Sequence, residues 1–275
     1  MKFKLIFFSI LLYFQTNCSK KKIEIEITRL SKKINETSGL EVINEYFVTI
    51  NDSGDDPVLY TFDKNGKNLS EKLILGAKNT DWESLASDNK YLYIGDIGNN
   101  KGNRKDLKIY ITDFEFKLID SINFNYNNQL RFKKRKKHKF DAEALVSFND
   151  SLLVFSKNRK ALTTEVYILP KKPGSFSLQP KYSFNVDALI TGADYNFKLD
   201  LLALVGYSYN IKKQFLFVFK DFNDNINKQP NFKKYIIPIT NAQIEAIKII
   251  TEKKFWLTSE NEGGGYPKLI TVKLK

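Results

Sequence analysis

The sequence predicts an all-β chain folded as a five-bladed β-propeller closed by its N-terminal strand, with six blades as the alternative. Three observations carry this. Aromatic residues reach 14%, with 22 Phe and 14 Tyr, a composition that favours sheet over helix. Beyond residue 22 the apolar segments are short, alternating and bounded by Asn, Asp, Gly or Lys, and no stretch of a dozen residues carries a convincing helical period. Five segments also repeat one pattern: a small or acidic residue, an apolar pair, a polar turn, a strand and a polar loop. They begin at Ser38, Glu83, Glu143, Thr191 and Glu245, so the spacings are 45, 60, 48 and 54 residues. Units of about fifty residues with several strands each have the size of propeller blades.

Taken in order, residues 1–17 read as a signal peptide. Lys2 and Lys4 precede an apolar run from Leu5 to Phe14 that is too short to span a bilayer as a permanent helix. The single cysteine, Cys18, falls at the cleavage point before Ser-Lys-Lys-Lys, which resembles a bacterial lipoprotein signal with Cys18 as the lipidated residue. An ordinary secretory signal with an incidental cysteine is the alternative. Residues 18–22 form a tether, and residues 23–275 form one propeller domain. Only 30 residues follow Glu245, and the strand-like KKIEIEITRL at 21–30 has no partner of its own. Letting that strand complete the last blade closes the ring and removes an open sheet edge. A sixth blade could hide only in the 60-residue interval.

Composition narrows the chemistry. One His and one Cys exclude a zinc finger, a three-His zinc site and an internal disulfide. A Ser-His-Asp triad could use only His138, which sits in a run of lysines where a general base would be poorly buried. Chemistry is left to carboxylates, Lys, Arg, hydroxyls or a hard, oxygen-seeking cation. The net charge of +13 falls to +11 without Lys2 and Lys4. An exported chain meets no genome, so no nucleic-acid partner is expected, and the run Lys133-Lys134-Arg135-Lys136-Lys137 reads as a solvated strand or loop. A monomer is expected, located on the inner or outer membrane through its lipid and facing the periplasm or the cell surface.

Strand alternation and chain direction place the five starting residues around one mouth of the central channel. The loops NDSGDD (51–56), GDIGNNKGN (95–103), SKNR (156–159), GYSYN (206–210) and SENEGGG (259–265) surround the same mouth. This gives Glu83, Glu143, Glu245, Ser38 and Thr191 as candidate metal ligands. Asp52, Asp55, Asp81, Asp96, Asp141, Lys157, Arg159 and Glu260 form the candidate ligand-binding face. Carboxylates converging on a narrow mouth repel unless protonated, paired or bridged, and Ca2+ accepts six to eight such oxygens. Alternatively each Glu caps exposed backbone amides at the start of an inner strand. NDSGDD lacks the spacing of an EF-hand loop and reads as a tight Asx turn, GDIGNNKGN has no following helix to cradle phosphate, and Trp82 reads as blade packing. Lys157, Arg159 and Arg104 could hold an anion, or lie solvated at the surface.

The stretches NDSGDDPVLYTFDKNGK, NTDWESLASDNKYLYIGDIGNNKGNR, DAEALV, SKNR, ITGADYN and QIEAI resemble, in combination, a group of exported bacterial propellers. They are similar, more loosely, to the SdiA-regulated family and to phytase-type propellers. The likeness covers residues 36–275. The series Ser38, Glu83, Glu143, Thr191, Glu245 also resembles the five-bladed calcium-activated nucleotidases, which hold calcium with Ser and Glu at blade starts; Thr191 stands where those have serine. That resemblance implies channel calcium but no nucleotidase activity, since no nucleotide-binding set is present. Two functions follow as expectations. One is an envelope-anchored lipoprotein that binds a small ligand or an envelope protein at an acidic mouth with a structural calcium ion. The other is a calcium-dependent phosphoester hydrolase acting through metal-bound water.

Overall fold

The computed structural model describes residues 23–228, 230–261 and 265–275. The signal peptide, Cys18 and the tether lie outside these residues, as do positions 262–264 of the last mouth loop. The strands form five sheets, one per blade. The chain enters at β1 (Ile23–Arg29) and then builds blade one from β2 (Thr37–Ile43), β3 (Tyr46–Asn51), β4 (Val58–Phe62) and β5 (Asn68–Leu73). Blade two is β6 (Trp82–Ser87), β7 (Leu92–Asp96), β8 (Leu107–Thr112) and β9 (Leu118–Tyr126). Blade three is β10 (Ala142–Phe148), β11 (Ser151–Ser156) and β12 (Thr164–Pro170), followed by β13 (Gly174–Leu178) and β14 (Tyr182–Phe184). Blade four holds β15 (Leu189–Asn196), β16 (Leu201–Tyr207), β17 (Gln214–Lys220) and β18 (Lys233–Ile237). Blade five holds β19 (Ile244–Thr251), β20 (Lys254–Ser259) and β21 (Lys268–Leu274).

The outermost strand of blade five is β1, antiparallel to β21 from Ile23 opposite Leu274 to Arg29 opposite Lys268. The ring is therefore closed by joining the two ends of the chain, and β21 has no free edge. The innermost strands β2, β6, β10, β15 and β19 pack side by side around the axis, with β19 returning to β2. Five blades are complete. The 60-residue interval holds no sixth; it is taken up by the nine-residue β9 and the long connection 127–141.

Five apolar clusters fill the five spaces between blades, one at each junction. A blade is thus sandwiched on both faces, which explains why β16 is buried at all seven positions. Its Leu201, Ala203 and Val205 pack towards blade five, while Leu202 and Leu204 pack towards blade three. Successive side chains point to opposite faces, so a strand covered on both sides reads as a continuous apolar run. One feature lay outside the sequence prediction. Strand β13 leaves blade three and pairs in parallel with β9, adding a fifth strand to blade two and tying the two blades together. Its role as outer strand of blade three falls to the short β14.

Every innermost strand carries a β-bulge at its start. The register shifts between Ser38 and Leu40, Trp82 and Ser84, Ala142 and Ala144, Ile190 and Gly192, and Ile244 and Ala246. A bulge inserts one residue and re-aims the side chains beside it. The repeat seen in sequence is therefore a repeat of backbone geometry, and it sets the same opening residue of each blade at the same mouth. Gly39 shows how tight the junctions are: with φ +70, a Cβ on it would lie 2.5 Å from the Leu85 nitrogen of blade two.

Candidate metal centre at the channel mouth

The first opening residues act as staples between blades. Ser38 Oγ donates to the Glu83 carbonyl at 2.7 Å, and Thr191 Oγ1 donates to the Ile244 carbonyl at 2.6 Å. Ser84 Oγ accepts the Leu145 amide hydrogen at 3.1 Å, joining blade two to blade three. Ser38 and Thr191 thus sit on the ring as expected, with their hydroxyl protons committed to neighbouring backbone.

Glu83 differs. It is 3% exposed, and its Oε1 is buried without a hydrogen-bond partner. Carboxylate oxygens of Asp52, Asp81 and Glu83 all lie within 4.8 Å of one another. The motif around Trp82 builds this group. Asn79 Nδ2 donates to the carbonyls of Asn51 (3.1 Å) and Asp52 (2.9 Å), and Asn79 Oδ1 accepts the Trp82 amide at 3.1 Å. One side chain therefore fixes the blade-one loop against the start of β6. Trp82 is fully buried, with its indole Nε1 donating to the Lys78 carbonyl at 3.0 Å, as packing predicts. Gly98 completes the enclosure: a Cβ there would lie 2.3 Å from Glu83 Oε1 and 2.5 Å from Asp81 Oδ2.

Burial disfavours ionisation of all three, and the charge of Asp52 adds to it at Asp81 and Glu83. Burial pushes Asp52 up to about 6 and Asp81, helped by the charge of Asp52, up to about 7. Glu83 is held well above the ordinary carboxylate range by burial and by Asp52, Glu143 and Asp81. A buried, unpaired carboxylate is costly. Three hard oxygens around one point, one of them orphaned, fit a hard divalent cation.

The other side of the mouth is neutralised. Lys157, expected on the ligand-binding face to hold an anion or else to lie solvated, is 3% exposed and in direct ion contact with Glu143. Its Nζ also sits 5.0 Å from the Tyr207 ring centroid. Arg159 pairs with Asp141 at 3.0 Å and reaches Glu143 at 3.4 Å. Arg104 pairs with Asp96 at 2.8 Å. The surface reading of these three cations is corrected: the loops that carry them fold inward over acids that need a counter-charge. Burial raises Glu143 to about 7 against the pull of Lys157. Glu245 and Glu260 share the amide of Gln243, and burial with Asp52 and Glu143 nearby lifts Glu260 to about 8.

Two expected face residues hold loops together. Asp55 Oδ2 accepts from Asn51 Nδ2 (2.6 Å) and from the Tyr60 hydroxyl (2.8 Å), side-chain bonds that tie the NDSGDD loop to β3 and β4. Asp96 Oδ1 accepts the Asp81 amide at 3.0 Å. His138 is 4% exposed, contrary to the poor burial expected of it. Its Nδ1 accepts the Phe140 amide and its Nε2 lies 3.1 Å from the Asn100 carbonyl, so both nitrogens are engaged.

Deeper on the inner strands, Lys248 bridges Glu41 (2.7 Å) and Asp194 (2.9 Å), linking blade five to blades one and four. The sequence reading missed this triad. Its signal was present, since Glu41, Asp194 and Lys248 each stand fourth in their repeat. Grooves on the outer edge of blade four, beside Lys220, Lys233 and Tyr235, are remote from the mouth.

The fold has known counterparts. The chain is similar to the PQQ-bound form of aldose sugar dehydrogenase from Streptomyces coelicolor, with TM-score 0.51 and 11% identity over 92% of this chain and 99% of that one. It is also similar to a Bacteroides fragilis protein provisionally described as exported, with TM-score 0.46 and 10% identity over 94% and 96%. At such identities the likeness is one of fold alone. No family profile and no curated protein sequence matches the chain.

Proposed function

We propose that this is an exported, envelope-tethered propeller that binds a divalent hard cation, calcium by chemistry, at the channel mouth and uses that site to hold a ligand or partner. The cation ligands are Asp52, Asp81 and Glu83. The observation that carries the reading is the Glu83 carboxylate, whose Oε1 is buried without a partner and which has an oxygen within 4.8 Å of oxygens from two other acids. Glu143 and Glu245, expected in the same set, belong to it less directly, because Lys157 and Gln243 already occupy their oxygens. Tethering through Cys18, a monomeric state and the absence of a nucleic-acid partner belong to the same proposal. Among the described residues no helix is long and apolar enough to cross a membrane.

A metal-dependent phosphoester hydrolase is the second reading, favoured only by the nearness of Lys157 and Arg159 to Glu143. Both cations are already ion-paired, which supports binding over catalysis. Calorimetric titration of calcium into chelator-treated protein tests the first reading: a saturable heat and a raised melting temperature are expected, both lost in Asp81→Asn. Absence of heat and of any melting shift rejects it. Calcium-dependent hydrolysis of p-nitrophenyl phosphate that disappears in Asp81→Asn would move the assignment to the second.

A further inference from the structure

Within the connection between β9 and β10, residues 127–141, the stretch 127–139 carries seven Lys or Arg and no Asp or Glu, and Asp141 follows it. It is held as a loop, as the sequence predicts, yet it is a built structure and no loose tail. Buried Gln129 donates from Nε2 to the Gly102 carbonyl at 2.9 Å, and the Arg135 amide donates to the Lys101 carbonyl at 2.9 Å. On either side of the Arg135 anchor the lysine side chains face out: Lys133, Lys134, Lys136 and Lys137 are exposed, and among the described residues none of them forms an ion pair. A run of like charges is self-repelling and normally disordered.

The loop is also continuous with the mouth. The Arg159 amide donates to the His138 carbonyl at 3.1 Å, His138 Nε2 meets the Asn100 carbonyl, and the Arg159 side chain reaches Asp141 and Glu143. Strand β9 ends, and β10 begins, on the mouth face. Strand β1 starts on the opposite face, since it runs antiparallel to β21.

We propose that loop 127–139 is a preformed polyanion clamp, and that the ligand of the mouth is an acidic glycan whose carboxylate or phosphate groups bind the lysines and reach the cation at Asp52, Asp81 and Glu83. This rests on the proposed cation for its inner half and on the proposed tether at Cys18 for the choice of a glycan. A leaflet holding such a tether does not suit the loop: five residues span roughly 18 Å at most, and Ile23, where β1 begins, lies on the face opposite the mouth. Export disfavours nucleic acid. A polymer beyond the anchoring membrane fits both the charge and the direction.

The test uses full-length protein at 50 mM salt. Oligogalacturonate supplies carboxylates and phosphomannan oligosaccharide supplies phosphates; duplex DNA and phosphatidylglycerol vesicles stand as competing classes. In chelator, at least one glycan is expected to bind, with affinity falling at least tenfold by 200 mM salt and at least tenfold in the quadruple variant K133Q/K134Q/K136Q/K137Q. Calcium is expected to tighten binding to wild type and not to Asp81→Asn. Equal binding by the quadruple variant, or tighter binding to DNA or vesicles than to either glycan, overturns the clamp. Failure of calcium to tighten binding, with the chelator result intact, removes the cation reading and leaves the clamp standing.

Discussion

Gly98 lies against Glu83 with no room for a side chain: a Cβ would sit 2.3 Å from Glu83 Oε1 and 2.5 Å from the Asp81 carboxyl. The loop GDIGNNKGN uses this glycine for proximity to carboxylates, and its φ lies outside the left-handed region. Gly98→Ala is therefore permitted by the backbone and penalised only by the acids it pushes apart. The variant is expected to fold, with an unchanged circular dichroism spectrum, and to lose at least tenfold in calcium affinity by calorimetry. Unchanged affinity would show that the cation sits elsewhere.

Protonation of the mouth should set the pH dependence of stability. Asp52 and Asp81 are raised in the folded chain to about 6 and about 7, mainly by burial. A raised acid binds more protons folded than unfolded between its ordinary value near about 4 and its raised value. Stability without cation is therefore expected to fall as pH rises from about 4 to about 7, by on the order of 1–3 kcal/mol. Saturating calcium should flatten that fall, and its binding should release protons, read as a buffer-dependent heat.

Lys157 and Glu143 form a buried pair in which each supplies the other's counter-charge. Removing one partner strands the other, at a cost of about 3–5 kcal/mol. Lys157→Met is expected to lower stability by that order in chemical denaturation, and the double variant Lys157→Met/Glu143→Leu to recover most of it. A double variant as unstable as the single would mean that the pair does not act as a unit.

The staples between blades make a smaller contribution. Ser38→Ala removes a 2.7 Å hydrogen bond and leaves the buried Glu83 carbonyl without that donor. The expected loss is about 1–2 kcal/mol, seen as a melting temperature lower by roughly 2–6 °C. Calcium affinity should change little if Ser38 holds the ring without holding the ion.

Ring closure has its own test. Deleting residues 23–29 removes β1 and exposes the full edge of β21. Unpaired strand edges recruit other chains, so the deletion is expected to yield aggregates by light scattering where the intact chain gives a single species.

The ring itself was legible in sequence. The five openings at Ser38, Glu83, Glu143, Thr191 and Glu245 recur in composition because each must build the same bulge, and the orphan segment at 21–30 could be placed by the need to close a sheet edge. Asp52 and Asp81 could be named as face residues because loop position follows from strand direction. Trp82 was likewise readable, since burial of an indole in blade packing is a local matter.

What only the tertiary structure decided is which charged side chains meet, within a blade for Lys157, Arg159 and Arg104 and between blades for Lys248. Lys157, Arg159 and Arg104 carry the same letters as solvated cations, and only the fold brings each against a buried acid. Asp52 comes from the loop after β3 and Asp81 and Glu83 from the start of β6, and the hydrogen bonds of Asn79 bring the two segments together. The parallel strand β13, the Glu41–Lys248–Asp194 triad and the burial of His138 are of the same kind. Strand direction and repeat are properties of neighbouring residues and are written in order along the chain, whereas counter-charge depends on distances in space, within a blade or between blades, that no local pattern records.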